Sequence, residues 1–250
     1  MEEYTQTLDY KKLKEDTSKI FSEIMNYDQI TAIHSLNVGM NCAAWAKEQG
    51  FTEEKINEYY YGGLLHDIGK LNISPDIINK PDRLTDLEFE TIKTHPIKGL
   101  VKLKEMSEEL SKSDVVRNMI VYHHEAYKGY NGYPKIVDGE EIPLEARVCA
   151  VADVYDALSA KRSYKEALPL AKVYEIMEES TKLDQSLVQE FEHIINKSIT
   201  KDARGSDLGE INKIADEKAF EVELGKYQRQ KPTTIVGGSI DKKIRSELVR

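Results

Sequence analysis

The chain has 250 residues, of which 40% are hydrophobic and 32% charged, with a formal net charge of −9. That is the balance of a soluble globular protein, no apolar run approaches the roughly 18 residues of a membrane span, and the acidic N-terminus lacks the pattern of a secretory leader. The charge excludes coating a long nucleic acid, which needs a basic surface, but leaves a small phosphorylated ligand open, because a few local cations reverse the field inside a cleft. Cys42 and Cys149 have no framework or CxxC spacing, so a reduced cytoplasmic setting is expected.

In chain order, Leu13, Thr17, Ile20, Phe21 and Ile24 recur at helical spacing and predict a helix over 10–25. The next helix, about 29–48, carries Ile30, Ile33, His34, Asn37, Val38, Asn41, Cys42 and Trp45 on one side, and Gly50 closes it. His34 therefore faces inward, as a packed core histidine or as a ligand. A tyrosine-rich helix over 53–66 delivers Leu64-Leu65-His66-Asp67-Ile68-Gly69-Lys70. Neighbouring helical side chains diverge by about 100°, yet His66 and Asp67 can still converge on a metal site beside the helix.

Pro75 and Pro81 mark residues 71–83 as an irregular loop with one short apolar turn. Thr85 and Glu88 form a capping box for a helix expected to end at His95, since Pro96 disfavours helical geometry in the residue before it. Pro96 then opens a helix through Leu100, Val101, Leu103 and Met106. Val115, Val116, Met119 and Ile120 predict a helix over 114–124 leading to His123-His124-Glu125. A turn-rich segment runs from Lys128 to Pro143, followed by helices near 144–160, 170–182 and 185–199. No convincing period-2 pattern appears before residue 200, so the class is all-α. From Thr200 the composition shifts to a linker, Lys201 to Asp207, and residues 200–250 read as an appendage with a weakly amphipathic segment.

Five of the six histidines, His34, His66, His95, His123 and His124, fall at helix ends or on inward faces; His193 looks incidental. Asp153 lies in a largely apolar helical face, where an unpaired carboxylate is costly. It needs a cation, either a metal ion or a salt-bridging Arg147 or Arg162.

This set resembles the HD superfamily of metal-dependent phosphohydrolases and, more narrowly, the HD-GYP family. The likeness runs from about Thr31 to Phe191, through His34-Ser35, Leu65 to Lys70, Pro75-Asp76, Lys80-Pro81, Leu84-Thr85, His95-Pro96, His123-His124-Glu125, Gly132-Tyr133-Pro134, Asp153 to Leu158, and Arg162, Tyr164 and Lys165. It implies an HD-type helical bundle: an N-terminal helix (1–27), a catalytic domain (28–199) and a C-terminal tail (200–250). It also implies two divalent transition-metal ions, one held by His34, His66, Asp67 and Asp153, the other by His95, His123, His124 and the bridging Asp67. Mixed imidazole and oxygen donors favour iron or manganese. Some members hold a third metal on a glutamate four residues before the first histidine; here that position is Ile30, so two metals are expected.

The resemblance further implies hydrolysis of a cyclic dinucleotide, most often cyclic di-GMP, to the linear dinucleotide or GMP by a metal-bridging hydroxide. Lys70 would bind a phosphate oxygen or assist the leaving group. Arg162 and Lys165, one helical turn apart, would clamp the other phosphate and a guanine edge, unless they are simply a solvated basic face. Asp156, Gly132, Tyr133 and Pro134 complete the substrate side, and the Gly-Tyr-Pro loop is the implied contact for a diguanylate cyclase domain. That loop is one residue longer than the family pattern, with Lys128 where an aspartate is usual, and is expected to sit differently. Two other readings stand beside this one: hydrolysis of a mixed GMP-AMP dinucleotide or another nucleotide, and a non-catalytic protein that binds cyclic di-GMP or a cyclase. No receiver, PAS or membrane-sensor pattern precedes the catalytic helices, so regulation is expected from a separate chain, metal redox state or the tail.

Overall fold

The computed structural model describes residues 8–159 and 168–202. Its helices are α1 (Tyr10–Tyr27), α2 (Gln29–Glu48), α3 (Glu53–Leu65), α4 (Pro75–Ile78), α5 (Asp86–Ile92), α6 (His95–Met106), α7 (Asp114–Tyr122), α8 (Leu144–Ser159), α9 (Leu170–Glu178) and α10 (Gln185–Asp202), joined by short 3₁₀ turns that include Ile68–Asn72. There is no strand among the described residues, so the all-α expectation holds. None of these helices is long and apolar enough to cross a membrane. The tail beyond Asp202, and with it Arg162 and Lys165, lies outside the described residues.

Local chemistry sets the helix ends. Asp9, Asp28, Thr52 and Ser113 accept backbone N–H groups of the first turns of α1, α2, α3 and α7, satisfying donors the helices cannot pair internally. The Thr85–Glu88 capping box forms in both directions, and Lys80 Nζ donates to both Glu88 carboxylate oxygens at 2.7 Å. Gly50, at φ +74°, ends α2 in the left-handed conformation that glycine adopts at least cost.

α2 and α3 lie along one another at the centre, α7 packs on α3, and α8 covers α2 and α7. Trp45 stacks on Tyr59 with ring centroids 5.6 Å apart, within a core that also buries Leu13, Ile20, Leu64, Leu65, Met119, Ile120, Val148 and Val151. These contacts leave one end of the bundle, where α3 and α7 terminate beside the middle of α2 and α8, to be lined by polar side chains.

Several boundaries differ from expectation for identifiable reasons. Ile30 and Ile33 are exposed, at 40% and 50%, rather than on the inward face of α2. The buried face of α2 includes Ala32, Ser35, Gly39 and Ala43 beside the expected Val38, Cys42 and Trp45, and a Cβ on Gly39 would lie 2.8 Å from Tyr60 O of α3. The helix predicted to reach His95 stops at Ile92, and His95 begins α6, with Pro96 in a first turn where its missing N–H costs nothing. α9 ends at Glu178, before 182. The last helix crosses the expected linker start at Thr200 and is described as far as Asp202.

A buried polar tie fastens α1 to the body. Asp16, only 5% exposed, accepts from Ser107 Oγ at 2.7 Å and pairs with Lys12 at 3.2 Å. Burial acts to raise the Asp16 pKa, but the Ser107 and Lys12 hydrogen bonds prevail and hold it below the usual carboxylate range. Asp16→Ala is expected to cost about 1–3 kcal/mol in urea unfolding at pH 7, since Ser107 loses its buried acceptor. The wild-type contribution is present above the unfolded-state pKa of about 3.9 and fades as pH falls through the lower folded value, so the gap between the two proteins should close in acid.

Candidate metal centre

Three helix ends build the centre. A terminal turn leaves backbone carbonyls without intrahelical partners, and at each of these ends a histidine reaches back to one. His66 Nδ1 lies 2.7 Å from Gly63 O at the end of α3, His95 Nδ1 2.8 Å from Ile92 O at the end of α5, and His123 Nδ1 2.8 Å from Met119 O at the end of α7. A carbonyl only accepts, so each Nδ1 carries the proton and each Nε2 presents a lone pair. The negative ends of these helices add a favourable field for a cation.

The Nε2 atoms converge. Those of His95 and His123 lie 3.2 Å apart, two lone pairs with no proton between them in these tautomers. Asp67 Oδ1 lies 3.1 Å from His95 Nε2, whereas Oδ2 lies 3.3 Å from His66 Nε2 and accepts from Lys70 Nζ at 2.6 Å. One carboxylate oxygen thus faces each histidine group. Donor atoms of Asp67, His95, His123 and His124 fall within 4.8 Å of one another, as do those of His34, His66 and Asp67. Asp153 Oδ1 adds to the second group, 2.9 Å from His34 Nε2.

The donor set fits metal ions. His66 Nε2 and Asp67 Oδ1 are buried with no hydrogen-bond partner, an arrangement whose cost a bound cation would remove. Burial, then the neighbouring imidazoles His66 and His95, push the His123 pKa down to about 3; burial and His123 act likewise on His124, leaving both neutral as ligands must be. Burial works against ionisation of Asp67, but Lys70 and the histidines outweigh it and hold the carboxylate charged. Burial also opposes charging of His34, yet Asp153 and Asp156 prevail and raise it to about 9. A divalent cation would meet the same negative field in place of the His34 proton, which its binding would release.

The sequence-predicted residues come together with few exceptions. His34, His66, Asp67, His95, His123, His124, Asp153 and Lys70 all share this end of the bundle. Arg147 pairs with Asp184 and Glu140 at 2.8 and 2.9 Å, so it is not the cation that balances Asp153. His193 is exposed on α10. Tyr133 N–H donates to His124 O at 3.0 Å, and its ring lies 4.5 Å from the His124 ring, so the longer Gly132-Tyr133-Pro134 loop still borders the centre. Asp156, expected on the substrate side, lies with its carboxylate 2.7 Å from His34 Nδ1 and 2.8 Å from Asn37 Nδ2.

Sequence reasoning missed Asn37, the carbonyls of Gly63, Ile92 and Met119, and Glu125. The carbonyls had a signal: each histidine follows its acceptor by three or four residues at a predicted helix end. Glu125 accepts from the N–H groups of Lys135 and Ile136 at 3.1 and 2.7 Å and so pins the loop; nothing in the sequence indicates that.

Gly69 explains the spacing of the central motif. A Cβ there would lie 1.9 Å from His95 O and 2.6 Å from Gly99 N, so only glycine lets the turn after Asp67 touch the start of α6 and bring His95 to the carboxylate.

These features define a class: an all-helical bundle whose end is lined by histidines and aspartates arranged to hold metal. A family model described as HD domain matches residues 17–187, and the chain belongs to that family. Over 152 residues it is 37% identical to a cyclic di-GMP phosphodiesterase of Pseudomonas aeruginosa, covering 61% of this chain and 36% of that protein. It is 34% identical over 170 residues to a 3′3′-cGAMP-specific phosphodiesterase of Vibrio cholerae, covering 68% and 38%. To a cyclic di-GMP phosphodiesterase of Thermotoga maritima it is 32% identical over 194 residues, covering 77% and 52%. The chain therefore spans about a third to a half of the length of these relatives.

Gly69→Ala tests the packing argument. It is expected to destabilise the protein by about 1–3 kcal/mol through overpacking and to lower bound metal by displacing His95, read by thermal unfolding and by metal analysis of the purified protein.

Proposed function

We propose that this chain is a metal-dependent phosphodiesterase that hydrolyses cyclic di-GMP to the linear dinucleotide or to GMP. The observation that carries the reading is Asp67, whose two buried oxygens face separate histidine groups, the arrangement needed to share one carboxylate between two ions. His34, His66, Asp67 and Asp153 would hold one divalent ion; Asp67, His95, His123 and His124 would hold the other. Imidazole and carboxylate donors without thiolate suit iron or manganese. When bound, the ions neutralise phosphate charge and acidify water.

The residues of the chain do the rest. Lys70, on the Asp67 carboxylate with a side chain 24% exposed, is placed to donate to a phosphate oxygen and to stabilise negative charge as the phosphodiester bond breaks. The carbonyl-anchored imidazoles keep their lone pairs aimed without reorganisation. Tyr133, against His124, offers an aromatic face beside the centre for a base, with Gly132 and Pro134 shaping its loop. Arg162 and Lys165, from the sequence pattern, supply cations for the second phosphate. Residues 28–199 form the catalytic domain, with the N-terminal helix and residues 200–250 flanking it. The same loop is the proposed contact for a diguanylate cyclase domain. A cytoplasmic setting accords with Cys42 and Cys149, both free and buried.

A second substrate is favoured by a specific observation: relatives at 34–35% identity are named as 3′3′-cGAMP-specific phosphodiesterases. Turnover of each dinucleotide by anaerobically prepared protein with Mn²⁺ or Fe²⁺ decides between them, and binding of cyclic di-GMP without cleavage would establish a receptor instead. A chelator should abolish turnover and Mn²⁺ restore it. Asp67→Ala should lose both metal and activity; retained activity would overturn the mechanism. Lys70→Ala should keep the metal and lose about 10²–10³-fold in kcat.

A further inference from the structure

His34 is held differently from the other anchored imidazoles. His66, His95 and His123 turn Nδ1 to neutral backbone carbonyls at helix ends. His34 lies within α2, where the helix's own ladder occupies the carbonyls, and its Nδ1 meets Asp156 Oδ2 at 2.7 Å. Asp156 is 5% exposed, and its Oδ1 accepts from Asn37 Nδ2 at 2.8 Å. Asn37 follows His34 by three residues, so one face of α2 grips Asp156 at both oxygens.

The two kinds of anchor have different chemical consequences. A carbonyl orients an imidazole. A carboxylate also places negative charge behind it and strengthens the lone pair on Nε2. On the His34 side, the carboxylates of Asp67 and Asp153 are joined by that of Asp156. The opposite side has the shared Asp67 and otherwise imidazoles, of which His95 and His123 are backed by carbonyls. Lys70, 2.6 Å from Asp67 Oδ2, offsets one of the three carboxylates on the His34 side, and the two that remain still attract a divalent cation more strongly than the single shared carboxylate opposite.

We infer that Asp156, braced by Asn37, is a positioning residue for His34 and makes the His34 side the tighter of the two metal positions. This rests on the two-metal reading above. It also gives Asp156 a role other than substrate contact, since the negative charge it sets behind His34 repels an anionic phosphodiester.

The test is a Mn²⁺ titration of the metal-free full chain, counting bound metal by mass spectrometry and following pairing of the ions by electron paramagnetic resonance. Wild type should take up two equivalents in two steps, with a spin-coupled signal only after the second. Asp156→Ala should weaken the first step by about 10–100-fold, drawing the two steps together while the second stays close to wild type; Asn37 loses a buried acceptor, so a modest fall in the metal-free melting temperature accompanies it. Asp156→Asn keeps an acceptor oxygen without the charge and should lose less; Asn37→Ala should shift the same step in the same direction.

Unchanged titration steps in Asp156→Ala, with a raised KM for the dinucleotide, would overturn the inference and return Asp156 to the substrate side. Equal weakening of both steps with a large drop in metal-free melting temperature would reduce it to a structural residue. Uptake of a single equivalent by wild type would instead remove the two-metal reading itself, before any variant is made.

Discussion

The centre depends on one repeated interaction, an imidazole Nδ1–H donating to the orphan carbonyl of a helix end. It solves two problems together. The terminal turns of α3, α5 and α7 gain a donor for a carbonyl they cannot satisfy internally, and each histidine is fixed in the tautomer that leaves Nε2 open. Because the anchor is backbone, it moves only if the helix moves. The position of His66, His95 and His123 therefore follows from where three helices stop, at Leu65, Ile92 and Tyr122.

Asp67 turns three separately anchored rings into one site. It follows His66 directly and cannot share that ring's direction, so it spans toward His95 and His123 while its other oxygen stays with His66 and Lys70. This reach requires the turn after Asp67 to touch the start of α6, which is why a side chain is not accommodated at Gly69. The burial of donors without protein partners costs folding free energy, as functional sites commonly do. Occupancy by cations would recover that cost, coupling metal binding to stability.

Chemistry also differs across the centre. On one side, His95 and His123 rest on carbonyls; on the other, His66 does so too, but His34 lies between Asp153 and Asp156. The Gly-Tyr-Pro loop closes against the carbonyl-anchored side through Tyr133, and Glu125 fixes its path by taking the N–H groups of Lys135 and Ile136. An extra residue in the loop thus leaves Tyr133 beside His124, because the hydrogen bonds at its base, rather than its length, set where it lies.

Much of this was legible in the sequence. Helical periodicity set the class; histidines and aspartates at helix ends and inward faces raised a metal site, and the family resemblance sorted them into two groups. Boundaries and orientation were less legible. Ile30 and Ile33 were expected on the inward side of α2 but are exposed, whereas the neighbouring Ala32 and Ser35 are buried. The sequence did not show that Asp156 meets His34 and Asn37 of α2. The sequence by itself determined which atoms could bind metal, since that is a property of side-chain chemistry and spacing. Only the tertiary structure decided which oxygen of Asp67 faces which histidines and what stands behind His34, because those contacts join residues up to 122 positions apart and depend on where helices cross.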